Sequence, residues 1–380
     1  MQKAEREKLE GKIETKVYGH IDLPFLLLLL AISVIGLIMM FSASYASALQ
    51  QGKAPTYLFM QQGLFFVIGL AAMALISRLN YLVYQMMAAP AFVMTIVLLI
   101  LVLFIGDRRN GARRWIHVGF DIQPSEIAKL ALVIVIAAMI VHFGKHMETF
   151  INGVVPFALA IGMVCGLVLI QPHLSGAIII GLTAMILMFV GGVKKRYFAV
   201  LVALGGAMGL LAWRIFPHVQ RRLAVWLDPF VDPLGDGFQS IQSLYAIGPG
   251  GLFGLGLGQS RQKFLYLPER HNDYVFAIVC EEIGFIGALL VLTLFVMLIA
   301  RGYWIALHAR DKFGSLLCCG IITLLALQTF LNVAVVTNLL PATGVSMPFF
   351  SYGGSALLMQ LASMGMVLNV SRYIPAKKAG

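Results

Sequence analysis

One acidic residue lies where a long apolar segment begins, and its position suits proton transfer. Asp273 follows the polar stretch LPERHN and stands one residue before the run that starts at Tyr274. A carboxylate at such a boundary is costly unless it is functional or paired. Partial desolvation also raises its pKa toward the range in which a general base works. Pairing with Arg270 or another cation is the structural alternative.

Adjacent basic residues upstream provide a second group with chemical potential. The stretch GARRWIHVGFDIQPSEIAKL covers residues 111–130 and contains Arg113 and Arg114. Their forked donors suit phosphate and carboxylate oxygens, which predicts phosphate recognition. In the same stretch a helix can begin at a proline, with Glu126 in its first turn and Lys129 at i+3. Substrate contact and a helix cap with an ion pair explain Glu126 equally well.

Polar and glycine-rich segments supply candidate contacts for a hydroxyl- or amide-bearing ligand. Glycines permit close backbone approach, and side-chain amides can bond sugars, although capping of an interfacial helix is an equal alternative. The GLGLG portion is only a weak nucleotide signal, because no strand precedes it. In the segment 337–358, self-packing of the loop is the alternative to ligand contact. The candidate substrate-binding residues here are Gln239, Gln242, Ser243, Gly250, Gly251, His271, Ser351 and Tyr352.

Metal-ligand and disulfide patterns are weak in this sequence. The eight histidines form no convincing metal cluster, so no protein-held metal site is predicted. The four cysteines all lie inside apolar runs, where a thiol behaves as a small buried hydrophobe.

The composition places these residues in a membrane protein. Of 380 residues, 60% are hydrophobic and only 12% are charged, and the mean hydropathy is +0.89. Because a helix needs about 20 apolar residues to cross a bilayer, the chain can hold roughly ten crossings and little else. Lys and Arg outnumber Asp and Glu by 28 to 17, which fits topology-setting loops and also a phosphate-bearing or anionic lipid partner.

Apolar runs predict an all-α polytopic integral membrane protein with about ten transmembrane helices. The expected division is a cytoplasmic tail at 1–22, a membrane domain at 23–371 and a second cytoplasmic tail at 372–380. The first apolar run is too long for a cleaved signal peptide, which predicts an uncleaved span. The predicted helices are 23–46, 57–77, 86–106, 126–142, 153–170, 175–192, 198–216, 274–300, 315–336 and 355–371.

Loop charges set the expected orientation, with both termini in the cytoplasm. Positive residues concentrate in the connections that this topology places inside. The exception is 106–125, an outer loop that carries four arginines. The three long, helix-poor connections, 106–125, 217–273 and 337–354, then lie on the outer side, which predicts a composite site there.

Several separated motifs, in order, carry a resemblance to a known family. The segments GARRWI, QPSEIAKL, GFQSIQSLYAIGPGG, GLGLGQS, LPERHND, EEIGFIG and LLPATGVSMPFFSYGGS resemble the SEDS family of shape, elongation, division and sporulation proteins, FtsW, RodA and SpoVE. The later segments look closer to the FtsW branch and its sporulation relative than to RodA. Two departures stand out: the family's HTDF reads HNDY at 271–274, and its QPDLG reads QPHLSG at 171–176. The second removes a carboxylate, which puts a catalytic role at position 173 in doubt.

This resemblance implies a ten-span peptidoglycan glycosyltransferase that polymerises lipid II on the outer face of the membrane. The reaction releases undecaprenyl pyrophosphate with inversion, and Asp273 matches the family's functional aspartate, the candidate base. Mg²⁺ or Mn²⁺, held mainly through substrate phosphates, is the implied cofactor, and no organic cofactor is expected. The implied partners are lipid II, the undecaprenyl-pyrophosphate-linked glycan, a class B penicillin-binding protein and other divisome or elongasome membrane proteins, with no nucleic acid.

Alternative functions remain open at this point. An elongation or sporulation polymerase belongs to the same class of enzyme. A lipid II transporter belongs to another, although repeated halves and a midplane series of charges are missing from the sequence. A scaffold that recruits division enzymes could coexist with catalysis.

Overall fold

Long helices dominate the computed structural model, which describes residues 19–109, 112–215, 217–264 and 266–374. Most of the two predicted tails lies outside these ranges. The helices are α1 Leu23–Gln50, α2 Tyr57–Ile76, α3 Leu82–Met86, α4 Ala88–Ile105, α5 Pro124–Phe143, α6 Phe150–Gly153, α7 Val155–Ile170, α8 Leu174–Gly191, α9 Lys195–Ile215, α10 Pro217–Leu227, α11 Phe238–Gly250, α12 Val275–His308, α13 Lys312–Val336 and α14 Gly354–Ser371.

The predicted membrane-crossing segments are confirmed as helices. In the described part of the chain, nine helical segments are long and apolar enough to cross a membrane: Leu23–Gln50, Tyr57–Ile76, Ala88–Ile105, Pro124–Glu148, Phe150–Ile170, Leu174–Gly191, Val275–His308, Lys312–Val336 and Gly354–Ser371. The remaining predicted span, 198–216, is present as α9, some of whose side chains lie outside the described part.

The helices are apolar on all sides, so packing rather than an apolar face determines which helix lies inside the bundle. In α13, 72% of the most apolar 18-residue stretch is buried inside the protein, whereas in α2 only 17% is buried. The outer helices present leucine, valine and phenylalanine outward, which lipid tails tolerate as well as a protein core does. α5, α13 and α14, whose most apolar stretches are 61%, 72% and 67% buried, therefore form the interior, and only the first turns of α12 are buried as fully.

Charged side chains fix the helix ends opposite the site. Asp22 accepts from the Phe25 amide at 2.9 Å and caps α1. The same carboxylate pairs with Arg301 of α12 at 2.7 Å. Asp311 likewise caps α13, by accepting from the Gly314 amide at 2.8 Å. These contacts cap the starts of two spans, and the Arg301 pair also ties the start of α1 to α12.

The three connections predicted to be helix-poor differ from one another. Residues 106–125 contain three short antiparallel strands, β1 Asp107–Arg109, β2 Ala112–His117 and β3 Asp121–Ile122. The prediction is wrong for 217–273, which contains α10 and α11. Its proline and glycine content suggested loop, but Pro217 and Gly237 stand at helix starts, where they are tolerated.

The span α12 is broken near its beginning. Gly284 has φ 68° and ψ −172°, outside helical geometry. The Phe285 and Ile286 amides donate to the Gly251 and Leu252 carbonyls at 2.9 and 3.1 Å. A Cβ on Gly254 would lie 2.2 Å from the Glu282 carbonyl oxygen, so the two backbones touch only because a glycine is present. Residues 251–263, here called the glycine-rich loop, therefore dock directly onto the broken helix.

Candidate functional site

One end of the bundle gathers segments that are far apart in sequence. The Arg114 guanidinium donates to the carbonyls of Gln171, at 3.1 Å, and Pro172. The Tyr352 amide donates to the His271 carbonyl at 2.7 Å. The Trp226 indole of α10 donates to the carbonyl of Asn338 at 3.2 Å. The long connections thus meet at the same end, as the composite-site prediction required.

Asp273 is held at this end by backbone contacts from two directions. Its amide donates to the Glu269 carbonyl at 3.0 Å. Its carbonyl accepts from the Asn332 side chain of α13 at 2.7 Å, and Asn332 also donates to the Val345 carbonyl at 2.6 Å. Because one buried asparagine joins both segments, the start of α12 and the loop 337–354 are fixed relative to each other.

The carboxylate of Asp273 lies against a glycine that no other residue could replace without strain. Gly344 has φ +65°, and a Cβ there would lie 3.1 Å from Asp273 Oδ2. The left-handed backbone and the close contact both favour glycine. Within the described residues, no hydrogen-bond donor is recorded for this carboxylate, so it stays available to a ligand.

The electrostatic surroundings hold Asp273 ready to accept a proton. Burial, reinforced by the Glu269 carboxylate, raises the pKa of Asp273 to about 7, against the opposing influence of Arg114. The alternative of pairing with Arg270 is not observed: that guanidinium donates to Ser47 Oγ at 2.7 Å and to the Leu267 carbonyl at 3.2 Å. Asp273 therefore has the environment of a general base.

Two adjacent arginines point to different structural tasks. Arg113 donates to the Leu103 and Phe104 carbonyls at 2.9 and 3.1 Å, which caps the C-terminal end of α4. Arg114 lies near Asp273 and Arg222, and burial lowers its pKa while Asp273 opposes that shift. Of the two predicted phosphate ligands, the geometry therefore favours Arg114, because this guanidinium interacts with Asp273. The Arg113 side chain instead holds the end of α4.

Glu126 and Lys129 form the predicted i,i+3 pair in the first turns of α5. Lys129 Nζ lies 2.7 Å from Glu126 Oε1, and each side chain is only 8% exposed. The pair borders a small cavity of about 40 Å³ whose other polar lining is Gln328, Gln360 and Ser363. A cavity of that size holds no more than a few water molecules. The pair is thus a buried ion pair beside the site, and either predicted role for Glu126 fits it.

The glutamine and glycine candidates of α11 divide into buried and accessible groups. Ser243 is fully buried and donates to the Val336 carbonyl at 2.7 Å, which removes it from substrate contact. Gly250 packs on Cys280, where a Cβ would lie 2.2 Å from the carbonyl oxygen. Gln239 and Gln242 are half-buried, and Gly251 has open space where a Cβ would stand. These three remain candidates for ligand contact.

The predicted contacts around His271 and the loop 337–354 form a packed unit. His271 Nδ1 lies 3.2 Å from Ser47 Oγ, and burial lowers the pKa of the imidazole to about 4. Ser351 is buried and accepts from the Met347 amide at 2.7 Å, which is self-packing of the loop. The Tyr352 hydroxyl donates to Gln61 at 2.7 Å. His271 and Tyr352 are half-buried and stay within reach of a ligand.

Glu281 and Glu282 of α12 make structural contacts. Glu281 accepts from Ser260 Oγ and from the Arg261 amide, the latter at 2.8 Å. Glu282 pairs with Lys263 at 3.1 Å, and both side chains are almost fully buried. The two glutamates therefore fasten the glycine-rich loop to α12.

The structure adds residues that sequence reasoning missed. Arg222 of α10 and Glu269 interact electrostatically with Arg114 and Asp273, respectively. Asn332 positions Asp273 from inside a span, where an intramembrane polar residue is itself a signal of function.

A group of potential metal ligands also departs from the sequence expectation. Asp107, His117 and Asp121 offer ligand atoms within 4.8 Å of one another in the small sheet. Their spacing in the sequence did not reveal this group. The pairing of β1 with β2 brings together residues that lie ten apart in the sequence. Nothing else in the described residues indicates an ion at this exposed group.

Comparison with known proteins places these features in a family. The family model described as cell cycle protein, FtsW/RodA/SpoVE, matches residues 22–375. Stage V sporulation protein E of Bacillus subtilis is 45% identical over 361 residues, 93% of this chain and 97% of that protein. The probable peptidoglycan glycosyltransferase FtsW of Geobacter metallireducens is 37% identical over 366 residues, 96% of this chain and 98% of that protein.

The fold is also shared with a solved structure. A chain from a peptidoglycan synthase complex, described as coordinating polymerization and crosslinking, superposes with a TM-score of 0.79 at 32% identity. The superposition covers 93% of this chain and 99% of that chain. With sequence and fold both matched over nearly their full length, the chain belongs to the FtsW/RodA/SpoVE family.

Proposed function

We propose that this protein is a peptidoglycan glycosyltransferase that polymerises lipid II into glycan strands. The observation that carries the proposal is Asp273, a half-buried carboxylate with a pKa of about 7 beside Arg114 at the end of the bundle where the long connections meet. The names of the matched relatives support the same reaction class. A base and a cation side by side suit glycosyl transfer with an anionic leaving group.

In the proposed reaction, Asp273 and the nearby cations have separate roles in a single displacement. Asp273 takes the proton from a sugar 4-hydroxyl while that oxygen bonds to the anomeric carbon of a second lipid-linked sugar. The bond from the anomeric carbon to the pyrophosphate oxygen breaks, and undecaprenyl pyrophosphate leaves with its electron pair, with inversion at the carbon. Arg114, Arg222 and Lys129 stabilise the charge that develops on the leaving group.

A divalent ion has a limited place in this mechanism. Near Asp273, the described residues contain no group of three ligand side chains, so Mg²⁺ or Mn²⁺ would be held mainly by the substrate phosphates. Its chemistry there would be charge neutralisation on the pyrophosphate.

Partners and orientation follow from the same proposal. The site faces outward, both termini lie in the cytoplasm, and lipid II and the undecaprenyl-pyrophosphate-linked glycan are the substrates. The solved synthase complex supports a class B penicillin-binding protein as the transpeptidase partner, with other divisome or elongasome membrane proteins alongside.

Purified protein and labelled lipid II test the function directly. A glycan polymer is the expected product, in the presence of the partner transpeptidase where activation requires it. Movement of lipid II between leaflets with no polymer would replace the enzyme with a transporter.

The biological process has two candidates within this activity. Division is the process indicated by the FtsW-like segments, whereas the 45% identity to the sporulation relative, against 37% to FtsW of Geobacter metallireducens, favours sporulation. Depletion separates them: filamentous cells indicate division, a defect confined to spores indicates sporulation, and rounded cells would indicate elongation.

The activity should rise with pH through an acid limb near 7. The raised pKa of Asp273 keeps the carboxyl protonated, and inactive as a base, below that value. Glu269→Gln removes the neighbouring negative charge that helps to raise this pKa, so the limb should move to lower pH. Initial rates of lipid II polymerisation measure the shift. The rates are taken from about pH 5 to about pH 9, roughly the range in which such a group titrates. An unchanged limb in the variant would remove Glu269 from the electrostatics of the site.

Arg114→Ala should weaken the use of lipid-linked substrate about tenfold or more, because a charged hydrogen-bond donor is lost beside the leaving group. Arg310→Ala is the control, since Arg310 lies at the opposite end of the bundle, next to the Asp311 cap of α13. Polymerisation rates at several lipid II concentrations measure both variants. Equal losses at equal protein levels would contradict the assignment.

Arg113→Ala should instead lower thermal stability, because the α4 carbonyls lose their cap.

A further inference from the structure

His173 occupies a position next to the proposed site that the mechanism above does not use. It is the N-cap residue of α8, and its carbonyl accepts from the Ala177 amide at 3.2 Å. The imidazole lies over the first turn of that helix, where a Cβ on Gly176 would be 2.8 Å from ring Nδ1. The glycine therefore makes room for the ring, which is held in one place.

Ser125 determines which ring nitrogen carries the hydrogen. Ser125 Oγ lies 3.3 Å from His173 Nδ1, and Ser125 is only 1% exposed. Within the described residues, no other hydrogen bond is recorded for this hydroxyl. If Nδ1 carried the hydrogen, the buried hydroxyl would be left without an acceptor, which is costly. Ser125 therefore donates to Nδ1, and the ring hydrogen lies on Nε2.

Two cations, Arg114 and Lys129, influence the ring electrostatically. Burial, then Arg114 and Lys129, lower the pKa of His173 to about 3, so the imidazole is neutral. Lys129 is already paired with Glu126 on its own helix, and Arg114 bonds the two carbonyls just before His173. A neutral ring adds an N–H donor here without adding a third positive charge.

The accessibility of Nε2 completes the arrangement. The His173 side chain is partly exposed, and its Nε2 atom is not fully buried. No hydrogen bond to Nε2 is recorded within the described residues. The N–H is thus a free donor in the neighbourhood of Arg114 and Lys129, which suits an anion with several oxygen atoms.

We propose that Arg114, Lys129 and His173 form a subsite for the pyrophosphate of the lipid carrier, with His173 Nε2–H donating to a phosphate oxygen. The inference rests on the proposed function and assigns a role to a residue at which this chain departs from the family's QPDLG pattern. A carboxylate at this position would accept hydrogen bonds and could not donate one at neutral pH.

Binding of pyrophosphate compounds without turnover tests this subsite. The full chain in lipid nanodiscs is titrated with farnesyl pyrophosphate, inorganic pyrophosphate and farnesol, and Kd is measured by thermophoresis. His173→Leu should weaken farnesyl pyrophosphate binding roughly tenfold, as expected for one hydrogen bond to a charged group. His173→Gln, whose amide nitrogen lies near the position of Nε2, should stay within about threefold of the wild type by the same reasoning.

Controls separate a ligand contact from a structural effect. His308→Leu is the matched histidine control, because His308 is exposed at the opposite end of the bundle and bonds only the Trp304 carbonyl within the described residues. It should leave Kd unchanged, and none of the variants should alter farnesol binding. A matching loss for inorganic pyrophosphate supports recognition of the phosphates alone, whereas a loss confined to the farnesyl compound supports recognition of the lipid-linked form.

Several outcomes would overturn the subsite. They are wild-type affinity of the His173→Leu variant for farnesyl pyrophosphate, equal losses of that affinity in the Leu and Gln variants, or weaker farnesol binding in either variant. Failure of the wild type to bind farnesyl pyrophosphate would also overturn it. The result is separable from the function itself, because these probes undergo no glycosyl transfer. A protein that binds them but makes no glycan from lipid II would keep the subsite and lose the proposed reaction.

Discussion

Replacement of Asp273 by asparagine is expected to reduce lipid II polymerisation by roughly 10²–10⁴-fold, the usual contribution of a general base. Asparagine keeps the size of the side chain and fits the same contact with Gly344, but it cannot accept a proton at neutral pH. The backbone bonds to Glu269 and Asn332 involve main-chain atoms of Asp273 and are unaffected. Polymerisation by purified protein measures the loss, with binding of lipid II and of the partner measured in parallel.

Asp236→Asn is the control for this experiment. Asp236 is exposed and pairs with Arg221 at 3.0 Å on the surface between α10 and α11, away from Asp273. Its replacement should change the rate only a few-fold, since surface ion pairs contribute little. If the Asp273→Asn protein polymerises lipid II near the wild-type rate, Asp273 is not the base. Glu126, the other acid beside a cation at this end, is then the next candidate.

Lys263→Met is expected to destabilise the protein by about 3–5 kcal/mol, the typical result of removing one partner from a buried ion pair. Lys263 and Glu282 are 4% and 0% exposed, and their charged atoms lie 3.1 Å apart. Lys263 also donates to the Gly258 carbonyl at 2.6 Å and to Ser42 Oγ at 3.0 Å. Loss of the ammonium would leave the Glu282 carboxylate uncompensated in the interior and release the glycine-rich loop.

Reversible unfolding in detergent measures this change. The double variant Lys263→Met/Glu282→Gln should recover much of the stability, because no unpaired charge is left inside. Arg221→Met is the matched control, since Arg221 pairs with Asp232 at 2.7 Å on the surface and its loss should not move the unfolding midpoint. Equal stability of Lys263→Met and the wild type would mean that the pair does not hold the loop.

The activity of Lys263→Met adds a second measurement. The loop fastened by this pair leads directly into the segment that carries Asp273. Polymerisation should therefore fall in the single variant and return with stability in the double variant. A rate that stays low after stability is restored would give Lys263 a role beyond fastening the loop.

Local sequence predicted the helices because their signal is local. A run of about 20 apolar residues can satisfy its backbone in a bilayer only as a helix, so hydropathy alone located the spans. The start of α5 at Pro124 and its Glu126–Lys129 pair followed from proline and i,i+3 spacing, and both were confirmed. The position of Asp273 at the start of a span was equally evident, because a polar segment there meets an apolar one.

Hydrogen-bond partners from distant segments were beyond the reach of local patterns. Arg113 and Arg114 are indistinguishable in sequence, yet one meets the carbonyls that end α4 and the other meets a loop between α7 and α8. Ser243 looked available for a sugar, but packing of α11 on α13 buries its hydroxyl against the Val336 carbonyl.

The sequence by itself determined that this chain is a membrane-embedded helical bundle of a recognisable family, with an acid at a span boundary. Only the tertiary structure decided which side chains face that acid. The pKa of Asp273 depends on burial and on Glu269 and Arg114, and the tautomer of His173 depends on Ser125, 48 residues away. Desolvation and charge act through space, so they are properties of the folded arrangement and not of any one segment.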